Sequence, residues 1–455
     1  MSKSVKLNKG FTINLAGKAK KELAELPQPE TFAVKPTDFV GMNRARALVD
    51  VGQNVKAGTP VLMDKKLDAV LYTSPVSGEI VELKRGAKRK LLEIVILADK
   101  EVEYEPFQSY PISDIATVSR ETVQETMLKS GVWPNIIQRP YGVVANPADT
   151  PRDIFISGFD TSPLAPDYNF TFKGEERNFQ AGIEILKKFT TGTIHVNIDG
   201  KGEVNPVYNS TDKVQHNKVS GQHPAGNVGI QIHHIAPINK NDLVWTISPF
   251  GVIQLGKLFL EGKYDASKVI AVAGSEIKDP KYYKTISGAS VRPFIKDNLN
   301  AEHVRLISGN VLTGKQIDEK GHLGFYDQLF TAIPEGEKVE FLGWLLPSMK
   351  KLSFGRAAGM MSFLNSKSKE YVIDANMKGG ARAFVMTGEF EKVTPMDIYP
   401  MHLIKSILAE DYDEMEALGI YEIIEEDLAL CEFIDVSKHD IQSIVRDGLN
   451  LMQYS

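Results

Sequence analysis

Between Asp50 and Leu83 the chain alternates short apolar runs with glycine turns, and this pattern limits the N-terminal region more than any other feature does. Gly52 and Gly58 bracket Gln53-Asn54-Val55-Lys56-Ala57, and Thr59-Pro60-Val61-Leu62 follows at once. Ser74-Pro75-Val76-Ser77-Gly78 then feeds the alternating run Glu79-Ile80-Val81-Glu82-Leu83. Glycine reaches turn conformations that a Cβ opposes, and Pro-to-Gly turns deliver the chain into extended segments. The grammar is strand, turn, strand, so residues 1–100 read as an all-β unit with a further strand at 91–97.

The G-x-x-V-x-x-G step followed by S-P-x-x-G resembles the barrel-sandwich hybrid, the fold of biotinyl and lipoyl carrier domains. Carriers present a modified lysine in a Met-Lys-Met or Asp-Lys-Ala setting. Here the hairpin reads Met63-Asp64-Lys65-Lys66-Leu67-Asp68-Ala69, which matches neither. Lys65 and Lys66 are expected as solvated, unmodified tip residues.

A charged connector at 99–105 marks the first boundary. From 106 to 262 the pattern becomes mixed. Residues 118–130 and 179–189 carry helical spacing, while 154–159, 192–198 and Val228–Ile235 read as strands, which together predict an α/β domain. Residues 263–345 read as α+β, with a strand at 268–273 and short strands and tight turns at 285–291 and 304–314. From 346 the chain leads into a helical tail, with apolar residues at helical spacing in 401–408, 415–418 and 441–451. The whole is a multidomain α/β and α+β chain, and its length of 455 residues by itself suggests about three domains.

Composition removes several function classes. Lys plus Arg is 53 and Asp plus Glu is 58, a net charge of −5, which does not suit a nucleic-acid binder. Cys431 is the sole cysteine, so neither an internal disulfide nor an iron–sulfur cluster can be built from this chain's thiols. No signal peptide is visible. No run of about 18 apolar residues occurs, so nothing is expected to span a membrane. The most apolar stretch, 243–260, is interrupted by Ser248, Pro249 and Gly251.

An ordered set of short motifs resembles the A subunit of the sodium-translocating NADH:quinone oxidoreductase. These are Tyr72-Thr73-Ser74-Pro75-Val76-Ser77-Gly78, Lys84-Arg85-Gly86-Ala87-Lys88-Arg89, Ser130-Gly131-Val132-Trp133 and Arg139-Pro140-Tyr141. Gly221-Gln222-His223-Pro224-Ala225-Gly226-Asn227-Val228-Gly229, Val244-Trp245-Thr246-Ile247 and Gly256-Lys257-Leu258-Phe259 continue the series. That family is similar to the flavin-carrying subunit of respiratory complex I and to the C subunit of the Rnf complex. The resemblance implies a barrel-sandwich hybrid, a Rossmann-like domain, a β-grasp (SLBB-like) domain and a helical tail. It also implies a peripheral subunit on the cytoplasmic side of the inner membrane. The partners would be the other subunits of the complex, which oxidises NADH, reduces ubiquinone and exports sodium. NADH, FAD, FMN and iron–sulfur groups would reside in those partners.

The residues themselves bear on cofactors. Phosphate cradles need glycines, because backbone N–H groups must approach the anion closely. Where the flavin-binding relatives carry such a loop, this chain reads Ser130-Gly131-Val132-Trp133-Pro134-Asn135, with one glycine, two bulky residues and a proline that lacks an N–H. Gly379-Gly380 is only a pair. No bound flavin, dinucleotide or metal is therefore expected. Cys431 sits where the Rnf relative's cluster motif would begin and is expected to pack as a small apolar residue. His233 and His234, on a strand, would face opposite sides and would not share a metal, and His223 lies in a turn-like stretch. A quinone needs an aromatic wall and one or two donors. Trp133, Arg139 and Tyr141, close together in the chain, are the quinone-facing candidates, against the alternative that Trp133 is core and Arg139 pairs locally. An independent flavin- and NADH-binding oxidoreductase, a carrier modified at Lys65 or Lys66, and a free-standing ligand-binding module remain as alternatives.

Overall fold

The computed structural model describes residues 2–25, 29–209, 214–336, 350–354 and 368–454. Part of the region read as 263–345 and much of 346–370 lies outside the described residues.

The glycine-punctuated region forms two small antiparallel sheets. One has the order Thr31–Val34, Leu91–Ala98, Gly78–Arg85, Asn54–Val55; the other has Ala45–Ala47, Pro60–Asp64, Leu67–Thr73. Val61, Leu62, Val70, Val76, Ile80, Ile94 and Ile96 are fully buried there. Gly78 shows why glycine is required. Its φ is +153°, and a Cβ would lie 2.0 Å from the Leu97 carbonyl oxygen.

The second unit is built on a seven-stranded sheet. Its order is Ser4–Lys6, Val214–Ser220, Ile194–Asp199, Ile154–Ser157, Val244–Thr246, Ile137–Arg139, Val143–Val144. The first five strands are parallel and the last two antiparallel. The stretch 243–260 resolves into the strand Val244–Thr246 and the helix Pro249–Glu261. Ser248 caps that helix by accepting from the Gly251 amide, and Pro249 fits its first turn. The helix crosses Glu176–Leu186 at glycine contacts: a Cβ on Gly182 would meet the Val252 carbonyl at 2.1 Å, and one on Gly256 would meet the Asn178 carbonyl at 1.8 Å.

Val228–Ile235 is a helix, not the strand its alternating Val228, Ile230 and Ile232 suggest. Tertiary packing decides the matter. Gln231 is fully buried on this helix, accepting from Asn197 and donating to Ser157 Oγ and the Ala225 carbonyl. A period-two reading has no place for that polar contact.

The third unit is a six-stranded mixed sheet, Lys315–Ile317, Val304–Ser308, Leu329–Pro334, Ser267–Ala273, Lys281–Ile286, Lys20–Ala24. Lys268 is buried at its base and donates to the carbonyls of Gly324, Phe325 and Asp327 at 3.3, 3.2 and 2.6 Å. The tail contributes the helices Pro400–Leu408, Tyr412–Ala417, Ala429–Ile434 and Ile441–Tyr454, which bury Leu403, Ile404, Met415, Leu430, Val445 and Leu449.

The N-terminal 24 residues divide differently from the sequence reading, which put everything from residue 1 in the first β unit. Ser4–Lys6 edges the seven-stranded sheet and Lys20–Ala24 edges the six-stranded one. Both strands are short and largely exposed, so they carry no hydrophobic alternation to announce them.

Candidate functional site

The segment 131–141 holds all three quinone-facing candidates, and its two ends point to different places. Trp133 is fully buried. Its ring packs edge-on against Phe189 and Trp245, both at 5.6 Å, and Nε1 donates to the Ala145 carbonyl at 2.8 Å. Val132, Pro134 and Asn135 are buried beside it, and Asn135 donates to Gln254 Oε1 at 2.7 Å.

The loop that starts this segment does not fit a flavin phosphate. Gly131 has φ +87°, and a Cβ there would lie 2.0 Å from Thr73 Oγ1. Thr73 in turn donates to the Ser130 carbonyl at 3.0 Å. The cavity bounded by Gly131, Pro134, Thr73 and Tyr264 measures about 20 Å³, room for roughly one water molecule. The chain's own side chains occupy the space that a phosphate would need.

Arg139 and Tyr141 turn the other way, into the helical tail. Arg139 is 1% exposed. Its Nη1 donates to Asp427 Oδ2 at 2.8 Å and its Nη2 to Glu426 Oε1 at 2.9 Å. Burial alone would weaken the guanidinium charge, but Asp427 and Glu426 outweigh it and hold Arg139 above its ordinary value. Burial and the adjacent Asp427 push Glu426 above the usual carboxylate range. Asp427 Oδ2 also accepts the Ile424 amide at 3.0 Å. Arg139 Nε and Asp427 Oδ1 are buried with no hydrogen-bond partner among the described residues.

Two glycines make this dock possible. A Cβ on Gly229 would lie 2.4 Å from Asp427 Oδ2 and 2.5 Å from Arg139 Nη1, and one on Gly142 would lie 2.9 Å from Ile424 Cγ2. Tyr141 is half-buried with φ +81°. Its carbonyl accepts from Arg446 Nη1 at 2.8 Å, and its ring meets Tyr421 at 6.3 Å. Arg446 closes the arrangement by a two-point pair with Glu425. The structure thus brings Arg139 and Tyr141 together at the tail and leaves Trp133 in the sheet core. Sequence reasoning missed Gly229, Asp427, Glu426 and Arg446. The signal was faint: the acidic run Glu425-Glu426-Asp427 reads as a solvated helix face until a buried arginine is opposite it.

Known proteins share this sequence from end to end. Residues 5–99 match the model described as NqrA N-terminal barrel-sandwich hybrid domain, 118–264 the NqrA second alpha/beta domain, and 269–319 the NQRA C-terminal domain. The A subunit of the Na(+)-translocating NADH-quinone reductase of Yersinia pestis bv. Antiqua (strain Angola) is 35% identical over 450 residues, 99% of each chain. Its counterpart from Serratia proteamaculans (strain 568) is 35% identical over 454 residues, also 99% of each chain. The chain belongs to the NqrA family, the A subunits of the Na(+)-translocating NADH-quinone reductase. Among solved structures, a NAD+-reducing [NiFe]-hydrogenase aligns at 10% identity and a TM-score of 0.36, over 77% of this chain and 66% of that one, too distant to bear on function.

In this NqrA-family chain, the barrel-sandwich hybrid, α/β and SLBB-type domains therefore follow one another, with the helical tail last. Its remaining candidate groups are occupied structurally. Cys431 is fully buried with Sγ 3.2 Å from Thr394 Oγ1, and burial pushes the thiol up to about 12, so it stays protonated. Because residues 228–235 are helical, His233 and His234 both reach the tail. His233 Nε2 accepts the Asp397 amide at 3.0 Å, which leaves its Nδ1 to donate to Glu422 at 2.7 Å. His234 Nε2 donates to the Pro395 carbonyl at 2.7 Å. His223 is buried, its Nδ1 3.2 Å from Thr161 Oγ1. Among the described residues no group of three or more His, Cys, Asp or Glu is placed to hold a metal ion, and no helix is long and apolar enough to cross a membrane.

Proposed function

We propose that this chain is a peripheral subunit, on the cytoplasmic side of the membrane, of a sodium-pumping NADH:ubiquinone oxidoreductase. It supports ubiquinone reduction coupled to Na+ export and holds no flavin, NADH or iron–sulfur cluster of its own. FAD, FMN, iron–sulfur groups and the NADH site belong to the partner subunits; the names of the NqrA relatives tie the family to NADH, quinone and Na+. The observation that carries the cofactor-free reading is the closure of the Gly131 loop by Thr73, Val132, Trp133 and Pro134. The buried, protonated Cys431 supports it as well.

The α/β domain is Rossmann-like in this reading: the strands at 154, 194, 214 and 244 take the spatial order third, second, first, fourth. The six-stranded sheet is a β-grasp variant. Quinone contact is assigned to Tyr141, which keeps accessible surface, with Arg139 and Trp133 fixing the segment behind it. The test is an optical spectrum of the purified chain, then turnover of the complex assembled with and without it. A colourless chain is expected. Complex lacking it should lose NADH:ubiquinone turnover while keeping NADH oxidation by an artificial acceptor, and Tyr141→Ala should raise the KM for a short-chain ubiquinone. A yellow chain, or full ubiquinone turnover without it, overturns the reading.

A further inference from the structure

A far larger opening than the one at Gly131 lies on another side of the α/β domain. A cleft of about 800 Å³ lies where the strands Ile154–Ser157, Ile194–Asp199 and Val214–Ser220 end. The loop 158–169 follows the first strand, Asp199 closes the second, and Gly221 and His223 follow the third; Thr12–Leu15 and Glu370 form the opposite wall. All three strands are parallel, so these are their carboxyl ends. Open α/β sheets take ligands outside the carboxyl ends of their strands, and the volume is that of a small-molecule site.

The cleft's chemistry is opposite to that of a phosphate site. The turn after the first strand reads Gly158-Phe159-Asp160-Thr161-Ser162-Pro163. The Ser162 amide, a donor that would meet a phosphate, already donates to Asp160 Oδ1 at 2.7 Å. Asp160, Asp167, Asp199, Glu203 and Glu370 line the cleft against Lys18. Lys21 is committed to Asp167 at 2.5 Å. His223 brings no positive charge, because burial pushes it down to about 4. A dinucleotide's diphosphate does not fit this wall.

Hydroxyl donors do fit it. Asp199 stands at the carboxyl end of the second strand, where an acidic side chain accepts from both hydroxyls of a ribose. One of its oxygens takes the Lys201 amide at 2.9 Å. Ser162 lines the cleft, but its Oγ is buried away from the open space and lies against the Asp160 carboxylate. Phe159, Leu164 and Tyr168 supply apolar and aromatic wall for a planar ring.

We infer that this cleft binds an uncharged nucleoside-type ligand, its vicinal diol on Asp199, and that it excludes the phosphorylated forms. The inference does not rest on the quinone reading. A chain that assembles and supports quinone turnover but fails the test below loses only this site.

Adenosine, 2′-deoxyadenosine and AMP are titrated against the full-length chain by calorimetry and saturation-transfer NMR. Adenosine should bind saturably. 2′-Deoxyadenosine should bind at least about tenfold more weakly, because the diol is broken. AMP should bind at least about tenfold more weakly, because its charge faces carboxylates. Asp199→Asn should weaken adenosine without moving the unfolding midpoint. The deoxyadenosine comparison uses the unaltered chain, so a variant that fails to fold leaves the test intact. No saturable adenosine binding, AMP binding as tight as adenosine, or indifference to the 2′-hydroxyl would each overturn the inference.

Discussion

The segment 131–141 and the cleft at 158–223 both belong to the α/β domain, and they have been finished in opposite ways. In the first, nearly every strong polar group has a partner within the chain: Trp133 finds the Ala145 carbonyl, and Arg139 finds Asp427 and Glu426. In the second, a volume of about 800 Å³ is left open, with Asp199, Glu203 and Glu370 on its walls. Chemically attractive residues can thus be fasteners, and plain ones can line a site. The difference lies in whether the surrounding structure has already used their hydrogen-bonding capacity.

The sharpest way to break this comparison is Arg139→Ala. It leaves Asp427 buried without its countercharge and should cost about 3–5 kcal/mol of stability in urea unfolding. Replacing the pair together, Arg139→Met with Asp427→Leu, should recover most of that loss. A cost under about 1 kcal/mol would mean that the dock is incidental.

Acid unfolding gives the next largest effect. Burial pushes His195, His223 and His322 each down to about 4. Their folded values lie below the unfolded one, so the stability they contribute is complete above about pH 6.5 and is lost as pH falls towards 4, on the order of 3 kcal/mol each at full protonation. Glu426, raised in the folded state, acts in the opposite sense and gains stability as it protonates. Urea unfolding from pH 7 to 4.5 should therefore show a net loss, steeper in Glu426→Gln and shallower in His223→Gln. A flat profile would contradict the burial of these rings.

Gly229→Ala should cost about 2 kcal/mol, because its methyl group would intrude on the Arg139–Asp427 pair. The smallest expected effect sharpens the contrast from the other side. Asp199→Asn, at the open cleft, should change stability by no more than about 0.5 kcal/mol.

The sequence displayed the parts of the fold whose local signals agree with their tertiary setting. The turns at Gly58 and Gly78 and the amphipathic helix Ile441–Tyr454 announce themselves by residue type or spacing. Val228–Ile235 did not, because its alternating isoleucines imitate a strand while a buried glutamine requires the helix. The candidate site was legible only as proximity along the chain. Arg139 lies six residues from Trp133, but its partners are Glu426 and Asp427, nearly 290 residues later. The cleft was harder still to foresee, since it is assembled from the ends of three strands and a stretch near residue 12. No local pattern encodes such an assembly.

The two N-terminal edge strands carry a consequence for the order of events during synthesis. Ser4–Lys6 needs Val214–Ser220 as its neighbour, and Lys20–Ala24 needs Lys281–Ile286. Residues 4–24 can thus be placed only after partners far later in the sequence have been made. While the small β unit closes on its local contacts, Ser4–Lys6 must wait until nearly half of the sequence has been made and Lys20–Ala24 until more than half has. These residues then act as a latch, drawn across two finished sheets and covering one edge of each.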